Sequence, residues 1–341
     1  MRSLGSDNHA GVHPKILEAL MQVNQDHSPS YGTDDLTKKF REKAKELFGS
    51  TTESFFVFNG TAANVLCLKA LVQSFETIFC SHNSHLYLDE CAAPEHIIGC
   101  KLQPIVSVNG KIKPEQIEPY LVRLGDQHHS QPGAVSLTQP TELGTLYSFK
   151  ELQSWSQFCK EHNLKLHIDG ARFIYAPYGL KKSFKELTSD LEIHALSFGG
   201  TKNGLLFGEC CMFFNTDLAK KFKFIRKQNM QLPSKMRFLA AQFLALFENE
   251  LWQEIADHGN QLALQLEEGL KDIPEIKITQ PVEANSVFAI IPKKWVKPLR
   301  KHYFFYIFDE ATFEARLMIS FDSTKEDIER FIKEITKLSS L

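Results

Sequence analysis

The 341-residue sequence lacks most features that announce a partner or a compartment. It has no excess of either charge, with 39 Lys and Arg against 41 Asp and Glu and a formal net charge of −2. The electrostatic footprint of a nucleic-acid binder is missing, and a small molecule is the expected partner. There is no C-x-x-C pair, and the seven cysteines (Cys67, Cys80, Cys91, Cys100, Cys159, Cys210, Cys211) are odd in number and scattered. That pattern argues against a disulfide framework and a structural zinc site, and for buried, reduced thiols in a cytoplasmic protein. No apolar run reaches the roughly 20 residues of a membrane span. The longest uncharged stretch of this kind, Ser54 to Leu68, is interrupted by Asn59-Gly60-Thr61 and Asn64. The opening MRSLGSDNHAGVHP has no apolar h-region, so no secretory leader is expected there. Neither G-x-x-x-x-G-K-[ST] nor G-x-G-x-x-G occurs, which disfavours nucleotide binding through those loops.

What is present is a globular composition, 43% hydrophobic and 23% charged, that leaves an α/β or α+β protein. Strand-like runs alternate with amphipathic helical runs, the signature of a mainly parallel sheet with helices on its faces. Strands are predicted at Ser54–Phe58, Thr77–Cys80, Leu102–Val106, Ala134–Thr138, Lys165–Ile168, Ile193–Phe198 and Cys210–Phe214. Helices are predicted at Pro14–Val23, Leu36–Phe48, Ala62–Val72, Pro114–Leu124, Phe149–His162, Thr216–Asn229, Lys235–Glu248 and Leu251–Leu270. A smaller α+β unit fits the tail, with strands near Lys277–Thr279, Val287–Ile290, Phe304–Ile307 and Ala315–Ser320 and a closing helix at Lys325–Leu338. The expected architecture is a large α/β domain over residues 1–250 with a seven-stranded, mainly parallel sheet. A small C-terminal α+β domain over 251–341 follows, and the N-terminal segment is expected to pack with it.

Chemistry concentrates in three places. In His167-Ile168-Asp169-Gly170-Ala171-Arg172, an acid stands at the carboxyl end of a buried strand, where open α/β sheets place their ligands, although Asp169 also suits an ordinary helix cap. In Ser197-Phe198-Gly199-Gly200-Thr201-Lys202-Asn203-Gly204, small residues leave one amine accessible. A partly desolvated lysine loses its proton and can condense with a carbonyl, whereas a glycine turn with a surface lysine is the plain alternative. In Asn59-Gly60-Thr61-Ala62, a helix N-terminus preceded by glycine suits phosphate, or is simply a capped turn. Each motif alone is weak. In order they supply a phosphate cradle, an acid and an amine, which is what a pyridoxal phosphate enzyme requires.

Together with Ser6-Asp7-Asn8, Tyr31-Gly32, Asn59 to Asn64, Ser84-His85-Leu86-Tyr87 and Ser234-Lys235-Met236-Arg237-Phe238, these strings resemble the low-specificity L-threonine aldolases, which are fold-type I pyridoxal phosphate enzymes. The resemblance is collinear from residue 6 to about Phe321. Many members carry Glu-Asn-Thr-His where this chain reads Thr138-Gln139-Pro140-Thr141-Glu142-Leu143-Gly144, the string of another branch.

The resemblance implies that Lys202 carries the cofactor, Asp169 pairs with its ring nitrogen, and Gly60 and Thr61 hold its phosphate. Arg237 assists, with Lys227 a weaker candidate; a solvated helix start is the plain reading of Arg237. Ser6, Arg172 and Arg316 hold the substrate carboxylate. Arg316 is a lone cation in an apolar strand and needs a carboxylate partner, from the substrate or from the protein as a structural ion pair. The resemblance places His85 on the cofactor ring and His128 near the substrate hydroxyl. Either imidazole suits proton removal near neutral pH. His85 and Asp89 are four apart, so a helical segment would set that carboxylate against the imidazole; a solvated Asp89 is the plain alternative. His82/His85 and His128/His129 lack the H-E-x-x-H context, so no metal is expected. The implied reaction is cleavage of L-threonine, L-allo-threonine and related 3-hydroxy-2-amino acids to glycine and an aldehyde. β-Elimination, racemisation or transamination on the same cofactor is the alternative. A homotetramer is implied, with Tyr31 and Arg237 reaching a neighbour's cofactor across a dimer interface.

Overall fold

The computed structural model describes residues 2–340. Seven strands form the larger sheet: β1 (Glu53–Val57), β2 (Glu76–Ser81), β3 (Lys101–Ile105), β4 (Gln131–Thr138), β5 (Lys165–Gly170), β6 (Ala195–Gly199) and β7 (Glu209–Phe213). Their order is β1-β7-β6-β5-β4-β2-β3, and all run parallel except β7, which is antiparallel to both neighbours. Every residue of β6 and β7 is buried, as apolar strands covered on both faces must be. The carboxyl ends of β2, β4, β5 and β6 open on one side of the sheet, where a parallel sheet offers its crevice.

Helices cover the sheet: α1 (Pro14–Gln22), α2 (Asp35–Phe48), α3 (Gly60–Leu71), α4 (His85–Leu88), α5 (Phe149–Glu161), α6 (Arg237–Phe247), α7 (Leu251–Lys271) and α8 (Lys325–Ser339) are the ones that matter below. Their starts are encoded locally. Asp34 accepts the Thr37 N–H at 2.8 Å ahead of α2, and Ser148 with Glu151 forms a capping box at α5. Many of the 27 phenylalanines pack against α2 and α6. Ring centroids lie 4.6 Å apart for Phe40–Phe56, 5.1 Å for Phe56–Phe243 and 5.5 Å for Phe198–Phe247. Such pairs each contribute about 0.5–1.5 kcal/mol beyond their burial. A separate apolar cluster gathers Val65, Leu66 and Leu68 of α3 with Cys211 and Phe213 of β7.

A second sheet, antiparallel, has the order β10-β11-β9-β8, from β8 (Lys277–Ile278), β9 (Ser286–Ile290), β10 (Tyr306–Asp309) and β11 (Glu314–Met318). Its core joins Leu266 of α7, Val287, Leu317 and Phe331 of α8 with Leu4. Arg2–Ser3 pairs in parallel with Tyr303–Phe304.

Three expected elements are divided. The helix at 114–124 becomes a 3-10 turn, Pro114–Gln116, and a short helix, Glu118–Leu121, because Pro119 has no N–H to continue the ladder. The helix at 216–229 becomes Thr216–Ala219 and Phe222–Gln228, and the strand at 304–307 separates into Tyr303–Phe304 and β10. All seven thiols are unpaired, and six are buried; Cys91, in a left-handed turn after β2, is exposed rather than buried. Among the described residues no helix is long and apolar enough to cross a membrane.

Candidate active site

A cavity of about 1070 Å³ opens at the carboxyl ends of the parallel strands. Gly60, Thr61, His85, Asp169, Arg172, Lys202 and Arg316 all line it, although they are spread over more than 250 residues of chain. Lys202 sits in a 3-10 turn immediately after β6. The glycines before it are demanded by close packing, since a side chain at Gly199 would strike the Ala171 carbonyl and one at Gly200 the Gly208 carbonyl. The neighbouring Arg172 charge, and then burial, hold the Lys202 amine below its ordinary range and favour the neutral nucleophile.

Asp169 closes β5 with one oxygen on the Ala171 N–H at 3.0 Å and the other on Asn64 Nδ2 at 2.8 Å. Asn64 also donates to Glu90 Oε1 at 2.9 Å, and Glu90 Oε1 lies 3.0 Å from His85 Nδ1. One amide thus ties together the carboxylate expected at the ring nitrogen and the carboxylate that orients the imidazole. With Nδ1–H donated to Glu90, Nε2 of His85 is left with its lone pair. The Glu90 hydrogen bond, opposed by burial, lifts the His85 pKa above its ordinary value.

The partner of His85 is therefore Glu90 and not Asp89. Helix α4 is only four residues long and Asp89 already leaves helical geometry, so it is the next residue, Glu90, that reaches the ring nitrogen. Asp89 lines the cavity without touching the imidazole. His128 is not brought to the cavity of its own chain. It is exposed in the turn before β4, its N–H bonded to Asp126 Oδ1, at the end of that strand opposite the site.

At the other wall, Arg172 donates Nε to Asp7 Oδ2 at 2.6 Å, and Asn285 donates to the other Asp7 oxygen at 2.7 Å. Ser6 caps the turn that holds Asp7, accepting the Asn8 N–H at 3.2 Å, and it is Asn8 that lines the cavity. Arg316, on β11, has no carboxylate within salt-bridge distance among the described residues. Its Nη2 makes one long contact of 3.4 Å to the Gly5 carbonyl, its Nε is buried without a partner, and the rings of Tyr306 and Phe308 lie 5.9 Å from it. Burial presses its pKa down, as expected of a cation awaiting an anion.

Tyr31 and Arg237 lie outside the cavity. Tyr31 is exposed with φ +59°, under the Lys227 amine at 5.7 Å, and Arg237 donates to the carbonyls of Gln25 and Asp26 at 3.0 and 3.2 Å. Beside them an apolar hollow of about 600 Å³ is lined by Leu17, Met21, Leu206, Phe207, Ser234 and Phe238. Phe58 and Phe207 border both the hollow and the cavity.

Asp7, Asn64, Glu90, Glu142 and Glu209 are the site groups that sequence reasoning missed. Glu209, on β7 beside Gly200, takes that residue's N–H at 2.5 Å, and burial pushes its carboxyl up to about 7. The groups present fit pyridoxal phosphate. Asn59 caps α3 through the Ala62 N–H at 2.9 Å and leaves the Gly60–Thr61 turn on the cavity wall, with open space where a Gly60 side chain would be. A carboxylate and an amine follow along the same wall.

Comparison with known proteins gives a consistent picture. The beta-eliminating lyase family matches residues 3–294. The chain is 40% identical to a low-specificity L-threonine aldolase of Pseudomonas aeruginosa, over 98% of this chain and 97% of that one. A second, from a Pseudomonas species, is 39% identical over 99% and 98%. The solved structure of Leishmania major threonine aldolase superposes with a TM-score of 0.94 at 27% identity, covering 99% of this chain and all of that one. With the family matched over most of its length, this chain belongs to the beta-eliminating lyases, alongside the low-specificity L-threonine aldolases.

Proposed function

We propose that this protein is a pyridoxal phosphate-dependent aldehyde-lyase that cleaves L-threonine, L-allo-threonine and related 3-hydroxy-2-amino acids to glycine and an aldehyde. The observation that carries this reading is the unpaired Arg316 facing a cavity whose opposite wall holds Lys202, Asp169 and His85. When bound, pyridoxal phosphate supplies an electron sink for the pair left on Cα. Gly60 and Thr61 hold its phosphate, Lys202 supplies the amine that anchors it, and Asp169 keeps a proton at the ring nitrogen. Arg316, with Arg172, would hold the substrate carboxylate and so fix which bond at Cα is presented for cleavage. His85 takes the hydroxyl proton at Nε2 as that bond breaks, while Glu90 steadies the charge gained at Nδ1.

The second copy required for a complete site is supported by the apolar hollow and its surroundings, where Met21 is 75% and Met230 84% exposed. Tyr31 and Arg237 then serve a neighbour's cofactor, and pairing of two such dimers gives the homotetramer. His128, remote from the cavity of its own chain, serves another subunit's substrate. A division near residue 250 is supported by the separate cores, and seven unpaired thiols support a cytoplasmic location.

The test is product analysis of the purified protein with pyridoxal phosphate on both threonine diastereomers. Glycine and acetaldehyde in equal amounts are expected. Pyruvate, a D-amino acid or an oxo acid in their place overturns the reading.

A further inference from the structure

Glu142 has no role in the chemistry above, yet its carboxyl group is built into the same wall. It rides on the loop after β4, which is held by buried polar pairs. Gln139 and Tyr147 exchange hydrogen bonds of 2.9 and 3.0 Å, and the Thr141 and Thr145 hydroxyls meet at 2.8 Å. Glu142 Oε1 accepts two hydrogen bonds of 2.8 Å, from the main-chain N–H of His85 and from the Thr138 hydroxyl. Oε2 is shut off from solvent with no partner, although the residue lines the cavity. An ionised carboxylate so placed is costly, because half its acceptor capacity is empty. Burial, with the Asp169 charge adding to it, pushes the Glu142 carboxyl up to about 7.

The titratable groups around it are Asp169 from β5, Cys80 from β2, Tyr147 from its own loop, and His85 with Glu90 behind it from the α4 turn. Of these only His85 becomes a cation; Lys202 also acts on it, pressing its pKa down, whereas a negative charge on Glu142, bonded to the His85 main chain, favours the protonated ring. We propose that Glu142 is a positioning residue for His85, anchoring its main chain with one oxygen and, through the charge state of the other, setting how readily the imidazole takes a proton. The role in catalysis rests on the proposed aldolase reaction; the effect on the imidazole does not.

The experiment pairs Glu142→Gln, which keeps an acceptor for the His85 N–H and the Thr138 hydroxyl but cannot ionise, with Glu142→Ala, which removes both. The His85 imidazole is titrated by NMR in the cofactor-free protein, its signal assigned by loss in His85→Asn. Losing an ionisable Glu142 lowers the His85 midpoint by about one pH unit, the scale of a neighbouring opposite charge. In the holoenzyme, the acid limb of kcat/KM for threonine moves to lower pH by a similar amount in Glu142→Gln. Glu142→Ala lowers kcat on the order of 10²-fold, as misplacement of a reacting group does. An unchanged His85 midpoint in Glu142→Gln overturns the proposal, and so does an unchanged pH profile when both variants keep parental kcat. A parent that binds cofactor but releases no glycine and aldehyde refutes the aldolase reading and leaves the NMR result to stand by itself.

Discussion

The two walls of the cavity are built on opposite principles. On the sheet side, the carboxylates are held from two directions each: Asp169 by Ala171 and Asn64, Glu90 by Asn64 and His85, Glu142 by His85 and Thr138. On the small-sheet side, Arg316 has one long contact and no carboxylate within salt-bridge distance among the described residues. The first wall is preorganised, so its electrostatics cost no rearrangement at the moment of reaction. The second, in the proposed reading, is left for the substrate to complete. Arg172 stands between them, with one edge committed to Asp7 and the rest on the cavity. Changes on the sheet wall should therefore act on turnover, and changes at Arg316 on substrate capture.

The largest expected effect is that of Lys202→Ala, which removes the anchoring amine and reduces threonine cleavage to background in a coupled aldehyde assay, with the fold intact by circular dichroism. Next, His85→Asn lowers kcat by about 10²–10⁴, the usual contribution of a positioned general base, with little change in KM. Arg316→Met breaks the comparison from the other side. Loss of charged hydrogen bonds worth about 1.5–3 kcal/mol raises KM roughly ten- to a hundredfold, while kcat falls less. An equal loss in kcat alone would place Arg316 in the chemistry and erase the distinction between the walls.

The smallest effect is a pH shift. Glu90 is the main cause of the raised His85 pKa, so Glu90→Gln lowers that pKa. The unprotonated base then persists to lower pH, and the acid limb of the kcat/KM profile moves in that direction. A limb that moves upward contradicts the hydrogen-bond assignment at Nδ1.

How much of this was legible in the sequence divides along the same line. The seven strands of the large sheet, at Lys165–Ile168 and elsewhere, are apolar runs bounded by turn residues, and they fall where the pattern places them. Lys202, Asp169 and Gly60–Thr61 are recognisable because each stands at a strand end beside glycine or a helix start, a local signal. The supporting groups carry no such signal. Asn64 is an ordinary polar residue inside α3 and reaches Asp169 across 105 positions; Asp7 reaches Arg172 across 165. Only the sheet order brings them together. Helical spacing points to Asp89 as the partner of His85, but the helix ends at Leu88 and it is Glu90 that meets the imidazole. Glu142 was visible as part of a branch-specific string, but its unpartnered oxygen could be seen only in three dimensions.

The central claim, that the amine at the end of β6 holds the cofactor opposite a substrate-completed wall, is tested most directly by reductive trapping. The holoenzyme is treated with borohydride, digested and mapped by mass spectrometry. One pyridoxyl group per chain on Lys202 is the predicted result; modification of any other lysine, or none at all in a protein that binds pyridoxal phosphate, contradicts the account.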